Sequence, residues 1–380
     1  MLLGVFTLLL LLPAACRQVK VHARAVDVDS KSLKQTVVVA TLECPLPEHK
    51  NAIWCSTFQM AWDKLKQDII GEPIQIPTVQ DLADRLNRSQ FPTASIEEKS
   101  YYTAAGFVKK GIIEEVQREM RRRFPSEPVP TFDSRYETFP DVVLAYAYLN
   151  IAVAFKDPYF VYRGKFSFLN SSGVGTDVTA FCAQTNGPTR DGQRVRNQAE
   201  VLDYDAGESS GTASFAVDLS KQTQPYQVIL ARMPHCNTLG EAAKMLQDRI
   251  ASSQSDPNHR TLRSLEYGDT LIVPDVLYRL THHFDELLGK HLGNRKWADY
   301  FFFEALQKID FTLSRTGVVL KSEARAKAAP AKPPRQRDLH FDRPFLICVQ
   351  KREANATPFF LMWVDNAELM KPYASGDKGN

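Results

Sequence analysis

No G-x-G-x-x-G, P-loop, G-x-S-x-G or paired Cys–His metal spacing occurs anywhere in the 380 residues. Without such a motif an enzyme is not expected, and no cofactor is implied. Cysteine is sparse. After Cys16 come Cys44, Cys55, Cys182, Cys236 and Cys348, an odd, widely spaced set with no CxxC pair. That pattern argues against a disulfide framework or a zinc site and predicts buried free thiols, with one bridge left open in an oxidising compartment. His282, His283 and His291 form no HExxH and have no nearby ligand cluster, so they read as surface or packing histidines. Charge of one sign is also lacking. The 47 Lys and Arg against 44 Asp and Glu leave a formal +3, too little to predict a nucleic-acid partner.

What remains is ordinary globular material, 44% hydrophobic and 24% charged, ample for one large core. Met1 to Ala15 is a short apolar run with unbroken leucine from Leu8 to Leu12. It is too short to span a membrane and is followed by polar sequence, so residues 1–16 read as an export signal. Ala14-Ala15-Cys16 also resembles a lipoprotein cleavage site, which would make Cys16 the acylated residue and a membrane anchor. The expected location is outside the cytoplasm: extracellular, periplasmic or membrane-anchored.

Local patterns then give a mixed set of elements. Val37–Leu42 reads as a strand, and Asn51 opens a helix with apolar spacing through Met60, Trp62 and Leu65. A helix is expected around Val79–Leu86, a strand over Tyr102–Val108, and a helix over Ile112–Arg123 with Glu114 and Glu115 first and three arginines last, which complements the helix dipole. Val142–Phe155 is rich in Val, Ile and Tyr and favours a central strand. Thr238 caps a helix that runs to Ile250.

The end of the chain is the most informative. A part-alternating run finishes at Gly317, and two dense apolar segments, 345–349 and 359–364, read as buried strands of a hairpin. Between them and Gly317 lies a tether longer than the ~12–15 residues usual for a structureless loop. Its residues alternate. Val318, Leu320, Ser322, Ala324, Ala326 and Ala328 would form one small or apolar face in extended conformation, and Val319, Lys321, Glu323, Arg325, Lys327 and Ala329 a mostly charged one.

These residues resemble the serpins. Glu304-Ala305-Leu306-Gln307-Lys308 followed by Gly317 is similar to that family's strand and hinge glycine, and Phe341-Asp342-Arg343-Pro344-Phe345-Leu346 to its C-terminal signature. Phe155-Lys156-Asp157-Pro158-Tyr159 resembles the aromatic turn after a central strand, and Asn51-Ala52-Ile53-Trp54 the start of the helix beneath the main sheet. The resemblance implies an α+β domain over about residues 35–370, with a large mixed sheet, smaller sheets, surrounding helices, and an exposed reactive-type loop at about 317–340. Residues 371–380 are a polar tail. Only about Thr131–Pro140 is available for the helix that normally crosses the sheet, so that helix should be reduced or absent.

The implied function is inhibition of a serine or cysteine protease by loop cleavage and insertion, in a monomer. The alternative is a non-inhibitory binding protein at the cell surface. The resemblance puts the hinge at Gly317, followed by Val318, Leu320 and Ser322, and the cut bond near Ala331-Lys332. Proline after Lys332 hinders trypsin-like cutting, which leaves Arg335 and Arg337 as basic alternatives. Pro330, Pro333 and Pro334 lack the N–H that a ladder needs, so insertion should end by about Ala329.

Overall fold

A computed structural model describes residues 27–132, 142–183, 189–207, 212–257, 263–318 and 337–374. The protein is α+β, and its largest sheet is built around the C-terminal hairpin. Phe345–Lys351 and Phe360–Val364 pair antiparallel, with Phe345 opposite Val364. Their side chains are buried almost throughout, which is why both segments read as continuous apolar runs and not as alternating ones. Seven strands lie in the order Glu200–Asp205, Ser214–Asp218, Tyr226–Arg232, Phe345–Lys351, Phe360–Val364, Asn51–Cys55 and Thr36–Val38. The helix Leu239–Ser255 packs on this sheet, and Thr238 accepts from the Glu241 N–H as its cap.

Asn51 does not open a helix. Residues 51–55 are a strand between the hairpin and Thr36–Val38, and the helix begins at Ser56 and runs to Leu65. Ala52, Ile53 and Trp54 are buried, and burial on both faces of a sheet removes the polar alternation that marks a strand. A four-stranded sheet, Asp338–His340, Thr270–Pro274, Ala180–Cys182 and Phe160–Val161, caps one end.

Two further half-sheets lie over the helix Ser56–Leu65. In one, Leu306–Leu313 pairs antiparallel with Val276–His283 over eight residues, and Asp27–Asp29 adds a parallel outer edge. In the other, Tyr101–Phe107 pairs antiparallel with Val143–Leu149. The helix Ile112–Arg123 packs on that second pair, burying Ile112, Val116 and Met120. The stretch 131–140, where the helix across the sheet is expected to be reduced or absent, lies outside the described residues from 133 onward. The expected single strand from Val142 is broken at residues 150–152 and resumes as Val153–Ala154. Phe284–Leu288 forms turns, with Leu287 N–H on Phe284 O and Leu288 N–H on Asp285 O.

Candidate functional site: the hinge and the gap between half-sheets

Leu306–Leu313 alternates buried Gln307, Ile309, Phe311 and Leu313 with outward Lys308 and Asp310. The inward set is held from below. Phe311 stacks on Phe360 with ring centres 4.5 Å apart, and the Gln307 amide donates to Cys55 O (3.0 Å) and Thr57 Oγ1 (2.6 Å) at the start of the Ser56–Leu65 helix. Burial pushes the Cys55 thiol pKa up, so it sits there as a packed thiol.

The chain then reverses. Ser314 and Gly317 exchange both main-chain hydrogen bonds, at 3.2 and 3.0 Å, closing a tight turn. The aromatic turn 155–159 straps it down: Phe155 N–H donates to Thr316 O, Tyr159 N–H to Arg315 O, and Arg315 Nε to Tyr159 O. Tyr159 is fully buried, with its hydroxyl on Leu219 O. Gly317 has φ of +112°, in the region that favours glycine, and a Cβ there would lie 2.7 Å from the Phe155 nitrogen. No larger residue fits.

After the turn, Gly317–Val318 pairs antiparallel with Val153–Ala154, Gly317 opposite Ala154 and Val318 opposite Val153. These two residues therefore stand between the half-sheets as the first rung of another strand. Below them, among the described residues, the edge of Val143–Leu149 facing Leu306–Leu313 carries no strand pairing, nor does the facing edge of Leu306–Leu313. The helix Ser56–Leu65 underlies both sides. The gap is thus flanked by two strands running the same way, with a chain entering antiparallel to both.

Gly317 and Val318 are where the sequence reading puts the hinge; Leu320, Ser322, Ala331, Lys332, Arg335 and Cys16 lie outside the described residues. Arg337 is not on an open loop. Its guanidinium is buried against Asp269, with Nη2 2.6 Å from Oδ2 and 2.7 Å from Ser264 O, and its own N–H donates to Asp269 Oδ1. In this state it cannot enter a protease pocket. The short, paired strand Asp338–His340 begins one residue later and anchors this end of the loop. The Ser314–Gly317 turn, and the docking of the aromatic turn 155–159 on it, escaped the sequence reading; Gly317 just past an apolar strand, after Ser and Thr, was the available signal.

His282 accepts or donates one bond, to Ser30 Oγ at 2.8 Å, while His291 is exposed beside Phe301. Among the described residues no group of His, Cys, Asp and Glu could hold a metal, and Cys44, Cys55, Cys182, Cys236 and Cys348 are free.

No family model and no curated protein matches the chain. Solved structures do. In fold the chain is similar to serpins. Thyroxine-binding globulin in complex with thyroxine covers 83% of this chain and 93% of its own at 12% identity and a TM-score of 0.47. The thermophilic serpin tengpin in its native state covers 84% and 90% at 11% identity and 0.49. Native protease nexin-1 with heparin covers 84% and 92% at 10% identity and 0.45.

Proposed function

We propose that this is an exported serpin-type protein whose segment after Gly317 is cut by a protease and then fills the gap as a new strand. The supporting observation is the rung at Gly317–Val318, because its register can be extended. Pairs across the Val153 side sum to 471, since 317 + 154 = 471. Pairs across the Leu313 side sum to 631, since 314 + 317 = 631. Continued inward, residues 318, 320, 322 and 324 fall opposite Leu313, Phe311, Ile309 and Gln307, all of them buried. These are the small and apolar positions of the tether.

The interleaved positions meet the outward set. Residue 321 falls opposite Asp310 and residue 323 opposite Lys308, which sets Lys321 against an acid and Glu323 against a base. Opposite charges directly across strands stabilise a pair, and like charges there do the reverse. The end of the gap at Val143 falls opposite residue 328, since 471 − 143 = 328, two residues before Pro330. The other wall begins at Leu306, opposite residue 325, since 631 − 306 = 325, so both walls end before the prolines. Insertion would add ladder bonds and burial in the gap, and on this reading the uncut protein is metastable.

A target protease is the implied partner. With Arg337 held by Asp269, and Arg335 only two residues from that anchor, the bond near Ala331-Lys332 is the better placed, which favours a protease that accepts a small residue. Incubation with serine proteases of small-residue and trypsin-like specificity, followed by a denaturing gel, tests this. A covalent adduct with the former supports inhibition. Cleavage without an adduct moves the protein to the second reading, a non-inhibitory binding protein that shares the fold.

A further inference from the structure

At the end of the half-sheets opposite Gly317, the surface combines exposed cations with packed aromatic rings. Leu306–Leu313 starts there, and eight residues at ~3.3 Å each put the two ends about 26 Å apart. Trp297 is stacked on Phe107 with ring centres 5.8 Å apart and is met edge-on by Tyr300 at 5.2 Å. Phe301 is 44% exposed, one of three large apolar residues so exposed among those described. Lys110 lies 5.1 Å over the Phe107 ring. Arg295 and Lys296, on the short 3-10 turn that carries Trp297, point no charge at a partner: among the described residues neither they nor Lys110 and Lys290 form an ion pair. Asp299 is the one exposed acid within the 295–301 stretch.

The bland explanation, a solvated rim around a small aromatic core, accounts for Trp297 but not for Phe301, exposed beside His291 on the same stretch that carries Arg295 and Lys296. We propose that this pole docks on an anionic lipid surface. An exposed apolar ring on a surface carrying Lys and Arg is the arrangement such an interface selects. Stacked nucleic-acid bases are a poorer fit, because one face of Trp297 is already covered by Phe107 and its edge by Tyr300. Docking here would leave the Gly317 end facing away from the membrane. The inference does not depend on loop insertion.

The test uses the full chain carrying Cys16→Ser, so that no acyl group contributes, in co-sedimentation with vesicles. On about 30% phosphatidylserine the protein is expected to bind, and on pure phosphatidylcholine not. The triple variant K110E/R295E/K296E should lose binding by about fivefold or more per charge. Phe301→Ser should weaken what remains at high salt. Lys165→Glu with Lys221→Glu, two reversals elsewhere on the surface, should change nothing, and melting temperatures confirm that each variant is folded. Equal binding to both vesicle types, equal loss with the remote reversals, or retention on single-stranded nucleic acid that exceeds retention on vesicles would each overturn the proposal.

Discussion

Gly317→Ala is the sharpest single change, because the added carbon meets main chain on the neighbouring strand and not a side chain that can swing away. The strain is of the order of 1–3 kcal/mol, and the first rung should yield before the fold does. Amide exchange at Phe155 and Tyr159, whose N–H groups hold the turn, should then speed up; unchanged exchange would contradict the role given to Gly317. Arg337→Met leaves Asp269 buried and without its cation, which should cost roughly 3–5 kcal/mol in denaturant unfolding without moving the protease cut. His282 supplies a pH signature. Burial holds its pKa down at about 4 from 6.5, with Asp285 and Asp29 pulling the other way and His283 and Lys31 adding to the depression. The unfolded state therefore binds more protons between these values, so the stability tied to neutral His282 is complete above pH 6.5 and is lost as pH falls toward 4. His282→Asn should flatten the pH dependence of the melting temperature across that window; an unaltered slope would contradict the assignment. Residue identity singled out Gly317 in advance, but not the fate of Arg337, since a basic residue near a loop end gives no sign of a carboxylate 68 positions away in the chain.

Elements were legible where the period matched the burial. Ile112–Arg123 reads as one helix because one face is buried and the other charged, and the hairpin strands read as strands because they are short, apolar and branched. Asn51–Cys55 did not, for its five buried residues carry neither period, and the helix that follows lent it a false start. The pairing of Val276–His283 and the split of Val142–Phe155 depend on contacts across the fold that no local pattern encodes. The tether is a different case: its alternation was visible, but the faces could be assigned only once Val318 was seen opposite Val153. That assignment makes Ala324→Arg and Arg325→Ala a discriminating pair. The first would drive a charge toward buried Gln307 and should abolish insertion, whereas the second, at an outward position, should be tolerated. Measured as the stability gained on loop cleavage, equal effects of the two would mean that the register is wrong.

At the scale of the whole molecule the two ends of the half-sheets differ in chemistry. One end holds a glycine turn that starts a strand and cannot be relaxed by substitution; the other presents rings and cations to whatever surface they meet. Between them runs a gap whose walls are parallel and, in the register proposed, flank the run from Gly317 to residue 325 on both sides and to residue 328 on the Val143 side. The general architecture followed from the order of the sequence signatures, while the gap and its closure at one rung came only from the three-dimensional arrangement. The central claim is that the uncut fold stores the free energy of an unmade strand. Its most direct test is the melting temperature before and after a single cut within residues 329–336. A large rise is predicted, with the segment from 318 to 328 becoming protected from amide exchange. A melting temperature that stays the same or falls, with that segment still exchanging freely, would contradict it.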